Sequence, residues 1–326
     1  DTGHKFDPVR AVNDFIFMCF MCGNDFLKHT PSIEIMENGI DVMFDVYKNV
    51  CESFGHLTEI RRGGSVYFLK TPFTTFLGTL AGHEKSLLEN KLQRKDIYFP
   101  DEMMEQHASL QPSKMEDGGS VWELDFDDYK NEYNDTHFNG AEGERQASYQ
   151  FLEGLQWVLS YYTRGVPNWN WCYPYNYTPF ASTVIKHIDE WQFPNYGRSG
   201  SISPFQQLLC VLPRRSADLL PEPFCSFLKD ETTEFAQFCP DKEDIVVDIS
   251  GKKNEYEGVV ILPKVDISVM RKHYFQLVEQ VDKRDAGRNR FGKSFVYTHS
   301  PDSTYGFKSF YGDVQNCSAR LQEILI

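Results

Sequence analysis

Apolar positions sort the first 95 residues into helical segments. The run FIFMCFMC, residues 15–22, is apolar throughout and fits a segment buried on every side, helix or strand by periodicity alone. Asp14 in front of it as an N-cap, with Gly23 near its end, favours a helix. In SIEIMENGIDVMFDVYKNV the residues Ile33, Met36, Ile40, Met43, Phe44 and Tyr47 recur at helical spacing and predict a second helix. TPFTTFLGTLAGHEKSLLENKL reads as a third, amphipathic one.

The pattern is lost between residues 96 and 145, where Asp, Glu, Gly and Asn dominate and a solvated insertion or linker is expected. It returns in ASYQFLEGLQWVLSYYTRG. There Phe151, Leu152, Leu155, Val158, Leu159 and Tyr162 lie at helical spacing, and Gly165 stands where a C-cap glycine belongs. SPFQQLLCVLP carries a capping box, Ser203 with Gln206, plus Pro204 at the first helical position and Pro213 as a stop. DIVVDISGKKNEYEGVVILP predicts two β runs around a turn at Gly251. VDISVMRKHYFQLVEQVDKR predicts a last helix before a less regular tail. The fold class is therefore mainly α-helical with a few short strands (α+β). It has three blocks: helical 1–95, acidic 96–145, and helical 146–326 with an aromatic loop and a β-hairpin.

The formal net charge of −14 argues against a general nucleic-acid binder. Residues 96–145 hold roughly fourteen acids against three bases, so the rest of the chain is nearly neutral and leaves room for a local site. No apolar run reaches bilayer length, and no secretory leader opens the chain. The first residue is Asp rather than Met, so an excised or processed piece is expected. Eight cysteines without a paired framework fit reduced thiols in an intracellular compartment, and the missing basic localisation run leans the expectation to cytoplasm, with the nucleus open.

Two features carry chemistry. Asp25, in CGNDFLKH, follows a helix end beside Gly and Asn; it is either a ligand for a hard cation such as Mg2+ or a turn residue bonding its own backbone. GVPNWNWCYPYNYTPF, residues 165–180, has three prolines, no charge and an aromatic at nearly every second position. Trp169, Trp171, Tyr173 and Tyr175 either stack on flat ligands, nucleobases or sugars, or dock on neighbouring helices. The Cys19–Cys22 pair lacks the partners of a zinc site, RRGG at 61–64 is a single copy, SGKK lacks phosphate-loop spacing, and His29 and His187 have no evident partners.

Five stretches in order resemble the Xrn-type 5′→3′ exoribonucleases: NDFIFMCFMCGNDFLKHTPSIEI, FLEGLQWVLSYYTRGVPNWNWCYPYNYTPFAS, PFQQLLCVLPRRSADLLP, DISGKKNEYEGVVILP and GRNRFG. The resemblance covers roughly residues 10–80 and 145–290. It departs at Lys28 (usually Pro), Asn168 (Ser), Asn176 (His), Thr178 (Ala) and Tyr256 (Trp). It implies the helical middle of a nuclease acting on single-stranded, 5′-monophosphorylated RNA by two-metal hydrolysis with Mg2+, releasing nucleoside 5′-monophosphates. Asp25 would be a catalytic metal ligand, and Trp169, Trp171, Tyr173 and Tyr175 would wall the RNA pocket. Most of the acidic cluster and the 5′-phosphate pocket belong to the family's amino-terminal half, the expected partner of this region, so this chain alone is expected to be inactive. The alternative is a catalytically inactive RNA- or protein-binding module of the same descent; a glycan-binding module is disfavoured by the absence of an alternating all-β pattern.

Overall fold

The computed structural model describes residues 6–94, 97–112, 120–197, 199–309 and 312–324. Helix α1 (Pro8–Cys19) starts with Pro8 at its first position, while Asp7 accepts hydrogen bonds from the amides of Val9 and Arg10. The apolar run is helical as predicted, but the α-helix starts seven residues before it and the run's last three residues, Phe20–Cys22, form a 3-10 turn; Asp14 is therefore not the cap but lies in mid-helix, fully buried. Its carboxylate is satisfied by the Tyr47 hydroxyl at 2.8 Å, His56 Nδ1 at 2.6 Å, and the Thr58 amide and hydroxyl at 2.7 and 2.6 Å. A buried acid is tolerated only with such partners.

Helix α2 (Gly39–Phe54) buries Met43, Val46, Tyr47 and Val50, whereas Met36 of the expected stripe precedes the helix and is exposed. Gly39 is needed at its start, since a Cβ there would lie 2.7 Å from the Glu34 carbonyl oxygen. Strands β1 (Thr58–Ile60) and β2 (Val66–Phe68) pair antiparallel. The predicted third helix is two, α3 (Lys70–Ala81) and α4 (Glu84–Gln93). They part where the Gly82 and His83 amides turn back to Thr79 and Leu80 in tighter, three-residue bonds.

The acidic stretch folds rather than loops out, apart from 95–96 and 113–119, which lie outside the described residues. It forms α5 (Glu102–Gln106), the pair β3 (Ala108–Pro112) and β4 (Ser120–Leu124), and α6 (Phe126–Phe138). Among the described residues, Glu102, Glu105, Glu123, Asp127, Asp128 and Asp135 are exposed, while Met104, Leu124, Tyr129, Tyr133 and Phe138 build a core with Leu88 and Phe180. High charge hid a periodic apolar face that neighbouring elements cover. Helix α7 (Ala141–Arg164) is longer than its apolar run and ends as predicted at Gly165, φ 100°. Phe151, Leu152, Leu155, Val158 and Leu159 are fully buried; Tyr162 is exposed. Buried Gln156 accepts from the Phe68 amide and donates to the Val66 carbonyl, completing the free edge of β2. A short α8 (Ala181–Val184) follows the aromatic loop.

The chain packs as two compact units: residues up to Ser201 with Lys242–Lys264, and Ile202–Asp241 with the residues from Val265 onward. The first unit includes the predicted β pair, β5 (Val246–Asp248) and β6 (Val259–Ile261), with Gly251 at φ 68° between them. In the second unit, α9 (Pro204–Val211) carries the predicted capping box, α10 (Glu222–Lys229) follows, and α11 (Ile267–Val278) is capped by Asp266. A short α12 (Lys283–Ala286) leads into the tail. The tail holds β7 (Ser294–His299), β8 (Tyr305–Ser309), β9 (Gly312–Cys317) and β10 (Ala319–Ile324), paired β7 with β10 and β8 with β9. Phe205, Leu209, Phe224, Leu228, Phe235, Met270 and Tyr274 form this unit's core. The fold is mainly helical with short strands, as the pattern predicts. Among the described residues no helix is long and apolar enough to cross a membrane.

Candidate functional site

Asp25 occupies the tip of a tight loop after α1. Gly23 enters it at φ 90°, and the Asn24 side chain accepts from the Phe26 and Leu27 amides at 2.9 and 3.0 Å. The Leu27 carbonyl accepts from the Asn24 amide at 2.8 Å. The turn bonding that the sequence offers as an alternative role for Asp25 is performed by Asn24 instead, which leaves the Asp25 carboxylate exposed. Leu27 is buried beneath it and Phe26 packs sideways on Trp157 and Tyr161, at 4.9 and 5.0 Å between ring centroids.

The aromatic loop leaves α7 at Gly165 and is irregular throughout. The Trp157 indole donates to the Asn168 carbonyl at 3.0 Å, and the Asn168 side chain accepts from the Asn170 amide at 2.7 Å. Trp169 between them is anchored by its own amide to Ser199 Oγ at 2.8 Å, and its side chain is 49% exposed. Trp171 turns inward and stacks on Trp157 at 5.2 Å, with its Nε1 buried and unpartnered among the described residues. Gly154 on α7 allows this approach: a Cβ there would lie 2.6 Å from Leu27 and 3.0 Å from Trp171. Tyr173 is buried, its hydroxyl donating to the Tyr177 carbonyl at 2.9 Å, while the Tyr173 carbonyl accepts from Lys264 Nζ at 2.6 Å. Tyr175 keeps a partly open ring near Tyr173 and Phe138.

Asp25, Lys28, Tyr173, Tyr175, Asn176 and Lys264 line one shallow cleft of about 250 Å³. Of the sequence-expected site residues, the structure brings together Asp25, Tyr173 and Tyr175; Trp169 and Trp171 do not line this cleft. Tyr173 is buried and Trp171 is partly covered by its stack on Trp157, whereas Trp169 is exposed and Tyr175 is half-buried. Burial raises the Lys264 ammonium's tendency to lose its proton, though Cys172 opposes this.

Lys28 and Asn176 also line a larger cavity of about 410 Å³. On its wall, Glu34 Oε1 accepts from Lys91 Nζ at 2.7 Å and Lys252 Nζ at 3.0 Å. Burial alone would raise the Glu34 pKa, but the two ammoniums bring it down to about 2. The His29 pKa is lowered from its ordinary value, first by burial and then by Lys252, 3.3 Å from its Nε2. His137 stacks on Tyr177 at 3.7 Å, and burial lowers its pKa to about 4. The SGKK lysine therefore serves an internal ion pair, and the sequence offers no signal for this cluster because its members lie far apart along the chain.

Among the described residues no three His, Cys, Asp or Glu side chains gather as a metal site. The donor chemistry of Asp25, one exposed carboxylate, fits a single oxygen ligand to Mg2+ and no more. Cys19 and Cys22 are free thiols; burial, reinforced by Cys19, pushes the Cys22 thiol up to about 11.

The class this fold defines is a mainly helical domain with short strands. The chain belongs to the Xrn1 helical domain family, whose model matches residues 5–120 and 83–322. It is 28% identical over 352 residues to a Drosophila melanogaster protein named 5′-3′ exoribonuclease 2 homolog, covering 91% of this chain and 38% of that protein. The Homo sapiens 5′-3′ exoribonuclease 1 is 24% identical over 371 residues, covering 98% of this chain and 21% of that one. The Saccharomyces cerevisiae 5′-3′ exoribonuclease 1 is 32% identical over 205 residues, 62% of this chain and 13% of the relative. The chain is thus related to 5′-3′ exoribonucleases and spans well under half the length of these relatives.

Proposed function

We propose that this chain is the helical middle of a 5′→3′ exoribonuclease that degrades single-stranded, 5′-monophosphorylated RNA to nucleoside 5′-monophosphates. The observation that supports this reading most is the cleft that Asp25 shares with the aromatic loop in a chain of this family. Asp25 is exposed and held outward by Asn24, so its carboxylate is available to a cation. Mg2+ bound in a complete two-ion set supplies an activated water and charge neutralisation at the scissile phosphate. This chain contributes one ligand; the remaining acids and the 5′-phosphate pocket come from an amino-terminal nuclease half, without which the chain is inactive.

Trp169 and Tyr175 offer ring faces to the terminal bases, a contact each worth about 1–3 kcal/mol. Trp171 and Tyr173 hold those faces in place. In the full-length protein, Asp25→Ala abolishes Mg2+-dependent hydrolysis while RNA binding persists. Retained turnover would remove Asp25 from the chemistry.

A second reading is an inactive RNA- or protein-binding module, favoured by the formal net charge of −14. It is the outcome if the unmutated full-length protein binds RNA and never cleaves it.

A further inference from the structure

Trp157 sits on α7, away from the exposed ends of both loops, yet its indole touches a neighbour of each proposed functional residue. Phe26, next to Asp25, packs on it at 4.9 Å. Asn168, next to Trp169 on one side, accepts its N–H at 3.0 Å. Trp171, two residues beyond Trp169 on the other side, stacks on it at 5.2 Å and 28°. Tyr161, one turn along α7, stacks on it as well, at 5.5 Å and 13°. Trp157 itself is 4% exposed, while its bond to the half-buried Asn168 carbonyl is part-buried, so losing the donor frees the turn at Asn168. One turn earlier, Gly154 provides the space in which Leu27 and Trp171 both close onto the same helix face.

We infer that Trp157 is a positioning residue: it grips the aromatic loop on both sides of Trp169 and braces the Asp25 loop through Phe26, setting where the base-stacking ring lies relative to the proposed metal ligand. The inference rests on the exonuclease reading of Asp25 and Trp169. Its two grips differ in chemistry. The hydrogen bond holds the Trp169 turn, whereas the ring stack supports both loops. Removing the N–H alone acts on substrate placement; thinning the ring acts on the Asp25 side too.

The test replaces Trp157 in the full-length protein by benzothienylalanine, which keeps the bicyclic ring and lacks the N–H, and separately makes Trp157→Phe. The first readout is fluorine NMR of 5-fluorotryptophan placed at 169. Loss of the N–H shifts or splits its resonance, and an unchanged resonance overturns the inference whatever the activity does. The second is steady-state kinetics on 5′-monophosphorylated single-stranded RNA. The isostere raises KM about tenfold with kcat within about twofold, and the KM effect disappears in a Trp169→Ala background. Trp157→Phe also lowers kcat and raises the Mg2+ concentration needed for half-maximal rate.

Additive effects of the isostere and Trp169→Ala overturn the inference, because Trp157 would then act elsewhere. An active Asp25→Ala enzyme, or a Trp169→Ala enzyme with unchanged KM, overturns the exonuclease reading and the functional part of the inference with it. The NMR readout distinguishes that outcome from a failure of the grip itself. The isostere preserves volume and stacking, so the measurement stands even where Trp157→Phe does not fold.

Discussion

The hydroxyl of Thr178 donates to the carbonyl of His29 at 2.6 Å, tying the end of the aromatic loop to the segment that follows Asp25. The carbonyl of the same residue accepts from the Tyr133 hydroxyl at 3.0 Å, so the junction also reaches α6. The Thr178 hydroxyl closes a contact between two loops that Ala could not make.

Thr178→Ala is therefore expected to destabilise the protein by about 1–2 kcal/mol, the cost of leaving the His29 carbonyl unpaired in a buried junction. Urea unfolding of the variant against the parent measures it. A midpoint that does not move would show that the junction relaxes freely.

A pH-dependent effect is expected from Glu84. Its carboxylate is buried at the start of α4 and accepts from the Ala181 and Ser182 amides at 2.7 and 3.3 Å, holding the start of α8. Burial raises its pKa to about 7 against an ordinary 4.5, and the two amides only partly oppose this. The folded protein thus keeps a proton that the unfolded chain has already released. The resulting stability is fully present below pH 4.5 and is lost as pH rises to 7, by roughly 3 kcal/mol. His137 acts in the opposite sense, because its folded pKa of about 4 costs stability as pH falls from 6.5. The comparison to make is therefore Glu84→Gln against the parent at pH 5 and pH 8. The variant loses the Glu84 contribution to the slope; parallel curves would show that the carboxylate is charged throughout.

Glu34 shows the opposite sign at lower pH. Held to a pKa of about 2 by Lys91 and Lys252 despite its burial, it stabilises the fold above pH 4.5 and loses that contribution as pH falls toward 2. Glu34→Gln strands two buried ammoniums on a neutral amide and is expected to cost about 3–5 kcal/mol at neutral pH. Calorimetric or urea unfolding reads it directly. A loss below about 1 kcal/mol would mean that the lysines swing to water or to other acids in the cavity.

Several features were legible in the order of residues alone. The apolar runs of α1 and α7, Gly165 at the end of α7, the capping box of α9 and the antiparallel pair around Gly251 follow from local rules, since propensity, capping and periodicity act within a few residues. The five ordered stretches also sufficed for the family. The acidic stretch was misleading for a physical reason. Its charges mark the outer faces of α5 and α6, and burial of Tyr129, Tyr133 and Phe138 depends on partners such as Phe180 that are remote in sequence. The β strands of the tail are similar: their register is set by pairing between residues 294–299 and 319–324, and nothing local announces it.

The site divides along the same line. Local turn chemistry already determined a turn around Asp25, though not that Asn24 would make its bonds, and that residues 165–180 would be an irregular aromatic loop. Only the tertiary structure decided which rings of that loop stay open, because burial depends on what packs against each side chain. Trp171 faces the Trp157 indole and becomes support, while Trp169, two residues away, faces solvent. It also decided that Asp14 is no cap: its carboxylate is claimed by Tyr47, His56 and Thr58, residues that only folding brings within hydrogen-bonding distance.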